Sequence, residues 1–133
     1  MIKVEGKKKK EKKYDLRERT KDFALRIIRL YSCLPKTTEA QVIGKQVLRS
    51  GTSVGANYRE AYRARSKAEY ISTIGISLRE IEETSYWFEL LIEAGIIEEN
   101  QLVGLQAECN ELTAIFVSSI RKAKSNPKRG KSV

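Results

Sequence analysis

Residues 49–67 read Arg-Ser-Gly-Thr-Ser-Val-Gly-Ala-Asn-Tyr-Arg-Glu-Ala-Tyr-Arg-Ala-Arg-Ser-Lys. The small residues and the arginines of this stretch recur at intervals of three and four, which is the period of an α-helix. Glu60 is the only acid in it. The stretch therefore predicts part of a long helix that has one close-packing face and one positively charged face.

The same period continues on both sides of this stretch, and Pro35 is the only proline within residues 15–120. We expect a first helix to open at Asp15, with Glu18 completing a capping box, and to end before Pro35. Thr38, followed by Gln41, has the same capping-box spacing and predicts the start of a second helix. That helix is expected to continue to about residue 64.

Ser66, followed by Glu69, predicts the start of a third helix, and Gly95 suits the left-handed position just beyond its end. A fourth helix is expected to begin near residues 98–99, whose acidic side chains suit a helix N-terminus, and to end near Lys124. Four amphipathic helices with short connections predict an all-α fold, an antiparallel up-and-down four-helix bundle. We expect the bundle to span residues 15–124, between a basic flexible N-terminal tail (1–14) and a basic C-terminal tail (125–133).

The net charge of +9 is distributed unevenly along the chain. Residues 1–14 carry seven lysines and two glutamates, and residues 121–133 carry six cations and no acid. Between them, residues 15–67 carry twelve cations and five acids, whereas residues 68–120 carry one cation and ten acids. This asymmetry indicates either an anionic partner or self-association of opposite faces.

Several classes of protein are disfavoured by composition. The chain has no histidine, and its two cysteines, Cys33 and Cys109, form neither a disulfide framework nor a metal-binding spacing. We therefore predict no metal, no cofactor and no catalytic residues. No apolar run is long enough to span a bilayer and no signal-peptide pattern is present, so we expect a cytoplasmic protein without a membrane partner.

A basic stripe runs along the second helix. At about 100° per residue, its members fall within about 40° of Lys45 on either side, while Arg65 projects to the core side and is left out. Arg19, Arg26 and Arg29 lie roughly on one face of the first helix and would widen the surface, although Asp22 lies among them. Clustered cations on one helix face indicate contacts with nucleic-acid phosphates, and the alternative is an ordinary solvated face. The predicted nucleic-acid-binding residues are Lys45, Arg49, Arg59, Arg63, Lys67, Arg26 and Arg29.

A second surface is predicted for contacts between copies of the chain. Three apolar side chains of the third helix lie on the side away from its core seam, with a tryptophan at the flank, and the alternative is that large rings simply overlap the bundle edge. Glycines along one flank of the second helix indicate the close approach of another helix or another subunit. The predicted interface residues are Ile76, Tyr86, Trp87, Leu90, Gly51 and Gly55.

Several motifs occur in a fixed order: residues 49–57 (Arg-Ser-Gly-Thr-Ser-Val-Gly-Ala-Asn), then Glu60-Ala61, Glu80 and residues 83–87 (Glu-Thr-Ser-Tyr-Trp). Over about residues 15–124 the chain resembles the four-helix-bundle proteins encoded in intervening sequences of bacterial 23S rRNA genes. That family also includes accessory proteins of diversity-generating retroelements. The resemblance implies a pentameric ring with a basic surface and no catalytic residues, and for the retroelement branch it implies binding of nucleic acid and a reverse transcriptase.

Together these features predict a non-enzymatic, homo-oligomeric protein that binds RNA or DNA through phosphate contacts, with little sequence selectivity. Few aromatic residues lie within the stripe, so base stacking is expected to be minor. The alternative is an adapter that docks a nucleic-acid enzyme such as a reverse transcriptase. A nuclease would have to work without histidine and without a recognisable pair of buried carboxylates, which disfavours it.

Overall fold

The structure, a computed structural model, describes residues 15–126, and the regular elements in that range are four helices. They are α1 (Leu16–Cys33), α2 (Thr38–Tyr62), α3 (Lys67–Glu93) and α4 (Glu99–Ser125). Each helix packs along the one that follows it, and α1 meets α4 less closely. The predicted all-α four-helix bundle is confirmed. Both predicted tails lie outside the described residues, apart from the end of α4.

The first two helices begin at side-chain caps. Asp15 Oδ1 accepts from the backbone N–H of Arg17 at 3.1 Å, as an N-cap carboxylate should. The cap of α2 is Thr37, whose Oγ1 accepts from Ala40 N at 3.3 Å, so the predicted cap at Thr38 is wrong by one residue. Gln41 consequently does not close a capping box. Its side chain donates to the Pro35 carbonyl at 2.8 Å and accepts from the Tyr31 hydroxyl at 2.8 Å.

The starts of α3 and α4 and the end of α3 follow the predicted signals closely. Ser66 Oγ caps α3 by accepting from Glu69 N at 3.1 Å. Gly95, just beyond the end of α3, has φ of +76°, the left-handed conformation that glycine adopts at least cost. At the start of α4, Glu98 and Gln101 form a reciprocal capping box.

The core combines large apolar side chains with a few buried hydroxyls. Three phenylalanines, Phe23, Phe88 and Phe116, are at most 1% exposed. Between α2 and α3, the Thr84 hydroxyl lies 2.8 Å from Ser50 Oγ, and Ser77 Oγ donates to the Val54 carbonyl at 3.0 Å. Within residues 15–126 every buried side-chain polar atom has a hydrogen-bond partner, so these hydroxyls do not carry the cost of an unsatisfied group.

Glycines on one flank of α2 let α1 approach closely. A Cβ at Gly51 would lie 2.8 Å from Ile27 Cγ1, and one at Gly55 would lie 2.9 Å from Thr20 Oγ1. Both glycines are buried within the chain. The structure therefore supports the close approach of another helix rather than of another subunit. We do not assign Gly51 and Gly55 to contacts between copies.

No helix within residues 15–126 is both long and apolar enough to cross a membrane.

Candidate nucleic-acid interface

The antiparallel topology collects cations at one end of the bundle. The first turns of α1 and α3 and the last turns of α2 and α4 lie together there, and we call this region the basic end. It comprises residues 15–18, 59–69 and 121–126, which hold eight cations and four acids. The cations are Arg17, Arg59, Arg63, Arg65, Lys67, Arg121, Lys122 and Lys124.

The opposite end of the bundle has the reverse charge. It comprises residues 30–41 and 89–101, which hold one cation, Lys36, and five acids. The domain is therefore polarised along its long axis, in addition to the difference between its two halves in sequence. A polyanion would be attracted to one end and repelled from the other.

Hydrogen bonds confirm that these segments meet at the basic end. Lys67 Nζ, at the start of α3, lies 3.4 Å from the Asn126 carbonyl beyond the end of α4. Arg59 Nη2, near the end of α2, donates to the Arg17 carbonyl at 3.3 Å. The two boundaries of the described chain, at residues 15 and 126, thus lie at this end.

Most cations of the basic end have no acidic partner. Arg17 is 3.6 Å from the carboxylate of its neighbour Asp15. Within residues 15–126 the other seven form no ion pair within 4 Å; Lys67 is half-buried and the remaining six are exposed. Their charge is available to a ligand in solution.

The predicted stripe on α2 is divided by its surroundings. Lys45, Arg59 and Arg63 are exposed. Arg49 instead contacts two acids of α3: its Nη1 is 3.4 Å from Glu80 Oε1, and its Nη2 forms a short ion pair with Glu83. Gln46 Oε1 also accepts from Arg49 Nε at 3.1 Å. The Arg49 side chain forms ion pairs that link α2 to α3, and it is therefore poorly placed to hold a phosphate.

Two residues near the end of α2 lie elsewhere than the helical projection placed them. The helix ends at Tyr62, not near Ala64, and Arg63 N turns back to the Glu60 carbonyl at 3.1 Å. Arg65 was predicted to lie on the core side of a helix. That prediction is wrong, because Arg65 is exposed in the connection between α2 and α3. Lys67 belongs to α3 as its first residue.

The two arginines of α1 separate from the stripe. Arg26 is partly buried and extends over α4, where its Nη2 would be 3.1 Å from a Cβ at Gly104. Arg29 is exposed on α1. Only Arg29 of this pair offers an open charge, and it does so away from the basic end.

Tyr62, like five of the eight cations of the basic end, was not predicted as part of this site. It is 56% exposed, and the Arg17 guanidinium carbon lies 4.2 Å from its ring centroid. The ring centroid of Tyr58 is 6.3 Å away, and Tyr58 in turn stacks on the buried Phe116 at 6.1 Å. Its position three residues after Arg59 and one before Arg63 was the available signal.

An ion-pair cluster joins α1 to α4. Arg19 Nε donates to Glu108 Oε2 at 2.7 Å, and its Nη2 contacts Glu111 Oε1 at 2.5 Å. The hydrogen bond to Glu108 is the largest cause that raises the pKa of Arg19, with burial opposing it. Together with the Arg49 contacts, this cluster shows that positive and negative halves of the sequence already meet within one chain.

The outer face of α3 holds the other predicted interface residues. Tyr86 is 52% exposed, and its ring centroid is 5.1 Å from that of Trp87. Trp87 is half-buried and donates from Nε1 to Glu83 Oε2 at 3.2 Å. Ile76 and Leu90 are partly buried on the same helix. These apolar side chains remain accessible on the surface of the chain.

The two thiols differ in environment. Cys33 is exposed, whereas Cys109 is buried, and burial raises the pKa of the Cys109 thiol to about 12. A thiol with such a pKa is a poor nucleophile at neutral pH. Within residues 15–126, no three acids or cysteines are grouped closely enough to hold a metal ion.

Comparison with known proteins places this geometry in context. The family model described as 23S rRNA-intervening sequence protein matches residues 12–118. A solved structure of a protein of unknown function from the S23 ribosomal protein family of Bacteroides thetaiotaomicron is 40% identical. The similarity covers 78% of this chain and 96% of that one, with a TM-score of 0.74. Among curated proteins, none is significantly similar. With residues 12–118 matched, this chain belongs to the 23S rRNA-intervening sequence protein family.

Proposed function

We propose that this protein is a non-enzymatic, homo-oligomeric nucleic-acid-binding protein, and that the basic end of the bundle holds the phosphate backbone. The observation that carries the proposal is the convergence of eight cations from all four helices and from the connection between α2 and α3; seven of them have no acidic partner within residues 15–126. Unpaired Lys and Arg side chains gathered on one surface are the electrostatic footprint of nucleic-acid binding. The family name, which refers to 23S rRNA, supports RNA as the ligand.

Among the residues predicted to bind phosphates, the proposal gives the main role to Arg59, Arg63 and Lys67, and it adds Arg65 and the C-terminal cations of α4. Lys45 lies 18 residues before Arg63, which is about 27 Å along a helix at about 1.5 Å per residue. Charges at that distance are well beyond the Debye length of about 8 Å at physiological salt. Lys45 and Arg29 therefore contribute little to a ligand bound at the basic end.

We also propose that the outer face of α3 joins copies of the chain. Tyr86, Leu90 and Ile76 place apolar area on a face that no other helix of the bundle fully covers. Burial of such area is the usual source of affinity between subunits. A ring of five subunits is what the resemblance to the intervening-sequence family implies. It would bring several basic ends into one assembly and raise the apparent affinity for a long polyanion.

The test of binding is a salt titration with the full-length chain and a fluorescently labelled RNA hairpin, read by anisotropy. We expect the logarithm of the association constant to fall linearly with the logarithm of salt concentration. In Arg59→Glu/Arg63→Glu, the slope should decrease by about 0.7–0.9 for each phosphate that the variant no longer binds. Circular dichroism should show unchanged helix content, because both side chains are exposed. Wild-type affinity and slope in this variant would refute the proposal.

The second candidate function is an adapter that docks a nucleic-acid enzyme such as a reverse transcriptase. It is favoured by Leu25 and Ile28 on α1, which are 42% and 44% exposed and lie three residues apart on one face. A partner that co-purifies after nuclease treatment, and that is absent with Leu25→Glu/Ile28→Glu, would support the adapter. Co-purification that disappears with nuclease supports direct binding of nucleic acid.

A further inference from the structure

Two tyrosines of the bundle expose about half of their surface, and their surroundings differ in charge. Tyr86 is 52% exposed on α3, where Glu82, Glu83 and Glu89 are its neighbours in sequence. Tyr62 is 56% exposed at the end of α2, between Arg59 and Arg63. A phosphate chain is repelled from the first ring and attracted to the second.

The Tyr62 ring is held in place from the protein side. Arg17 lies over the ring at 4.2 Å, within the range of a cation–π contact. Tyr58 packs beside it and is anchored on Phe116, which is 0% exposed. The ring is therefore supported by the core and yet half open to solvent. Little conformational entropy remains to be lost when a flat ligand stacks on it.

Tyr62 presents an exposed aromatic ring that packs on the core and lies among cations. Such a ring is suited to bind single-stranded nucleic acid. Proteins that bind unpaired nucleic acid combine cations along the backbone with aromatic rings on which bases stack. In a duplex the bases are already stacked on one another and present mainly phosphates to such a surface. The cations can therefore bind the phosphates of either a duplex or a single strand, whereas the ring can stack only with the bases of a single strand.

Resting on the proposed nucleic-acid-binding function, we infer that the basic end is a single-strand site, in which one unpaired base stacks on Tyr62 while Arg59 and Arg63 hold the flanking phosphates. The ring offers no hydrogen-bond pattern that distinguishes bases, so selectivity among bases is low. Selectivity for unpaired over paired nucleic acid is the property that Tyr62 supplies.

The test compares two labelled probes with the full-length chain: an oligouridine of about 12 nucleotides, within the usual site sizes, and a blunt duplex with a similar number of phosphates. In Tyr62→Leu, affinity for oligouridine should fall by at least about fivefold, the low end of the range for one stacked base. Affinity for the duplex should stay within about twofold. Tyr62→Phe is the matched control, because it keeps the ring, and it should bind both probes like the wild type.

The outcomes separate this inference from the function on which it rests. If Tyr62→Leu binds oligouridine as the wild type does, while Arg59→Glu/Arg63→Glu binds poorly, stacking is refuted and nucleic-acid binding stands. An equal loss for both probes also refutes stacking, since it would mean that Tyr62 acts only by positioning Arg17. If the wild type binds neither probe, both the function and the inference fail.

Discussion

Alanine at Gly51 and alanine at Gly75 should affect the stability of the bundle differently. Both glycines lie within helices, so alanine gains about 1 kcal/mol of helix propensity at either position. At Gly75 nothing lies within 4 Å of the new methyl group. At Gly51 the methyl group would lie 2.8 Å from Ile27 Cγ1 and 3.0 Å from both Cδ1 and Cγ2.

Ile27 cannot move away easily, because it is 0% exposed and packed into the core. Overpacking of such a site costs about 1–3 kcal/mol. The propensity gain is common to both variants and cancels in their comparison. The free energies of unfolding of Gly75→Ala and Gly51→Ala should therefore differ by about 1–3 kcal/mol, with Gly75→Ala the more stable.

Urea unfolding, followed by circular dichroism at a single protein concentration, measures this difference. If the free energy of unfolding falls with urea concentration at the same slope in the two variants, both expose the same surface area on unfolding. The close approach of α1 to α2 would be refuted if Gly51→Ala were as stable as Gly75→Ala.

Three further predictions follow from the core, the thiols and the outer face of α3. Thr84→Val should lower the free energy of unfolding by about 1 kcal/mol, because it removes the buried hydrogen bond to Ser50. The double variant Ser50→Ala/Thr84→Val should lose less free energy of unfolding than the two single variants lose together. Additive losses in urea unfolding would contradict this contact. At about pH 8, iodoacetamide should modify Cys33 alone, since the pKa of Cys109 is raised to about 12, and a second adduct in the intact mass of the folded protein would contradict the burial of Cys109. If copies of the chain associate through the outer face of α3 as proposed, Leu90→Glu should dissociate them in native mass measurements while helix content is retained. Val103→Glu, at a position 55% exposed on α4, should not. An unchanged mass in Leu90→Glu would refute this interface.

Helix count and most helix ends could be predicted because their signals are local. A serine or an aspartate with a free backbone amide two or three residues on, and a glycine in the left-handed conformation, need no tertiary information. Local signals could not distinguish Thr37 from Thr38 as the N-cap of α2, because adjacent threonines suit a cap equally well. The end of α2 was misplaced because neither glycine nor proline marks it, and the period simply continued through Ala64.

The role of Arg49 could not be predicted from one helix. Its partners Glu80 and Glu83 are 31 and 34 residues away in sequence, and a helical projection shows which residues share a face but not what lies opposite that face. Arg26 was misjudged in the same way, because it lies over α4. By contrast, the basic end could have been predicted from the sequence, because an up-and-down topology already implies that the ends of α2 and α4 meet the starts of α1 and α3.

The most direct test of the basic end as the binding site compares two pairs of charge reversals in the full-length chain. Arg59→Glu/Arg63→Glu changes the basic end, whereas Arg29→Glu/Lys45→Glu changes two exposed cations elsewhere by the same total charge. With the oligouridine probe at physiological salt, we expect the first pair to weaken binding at least about tenfold and to reduce the salt slope by about 1.4 or more, and the second to weaken it less than about threefold. Equal effects from the two pairs would mean that overall charge, not the basic end, determines binding.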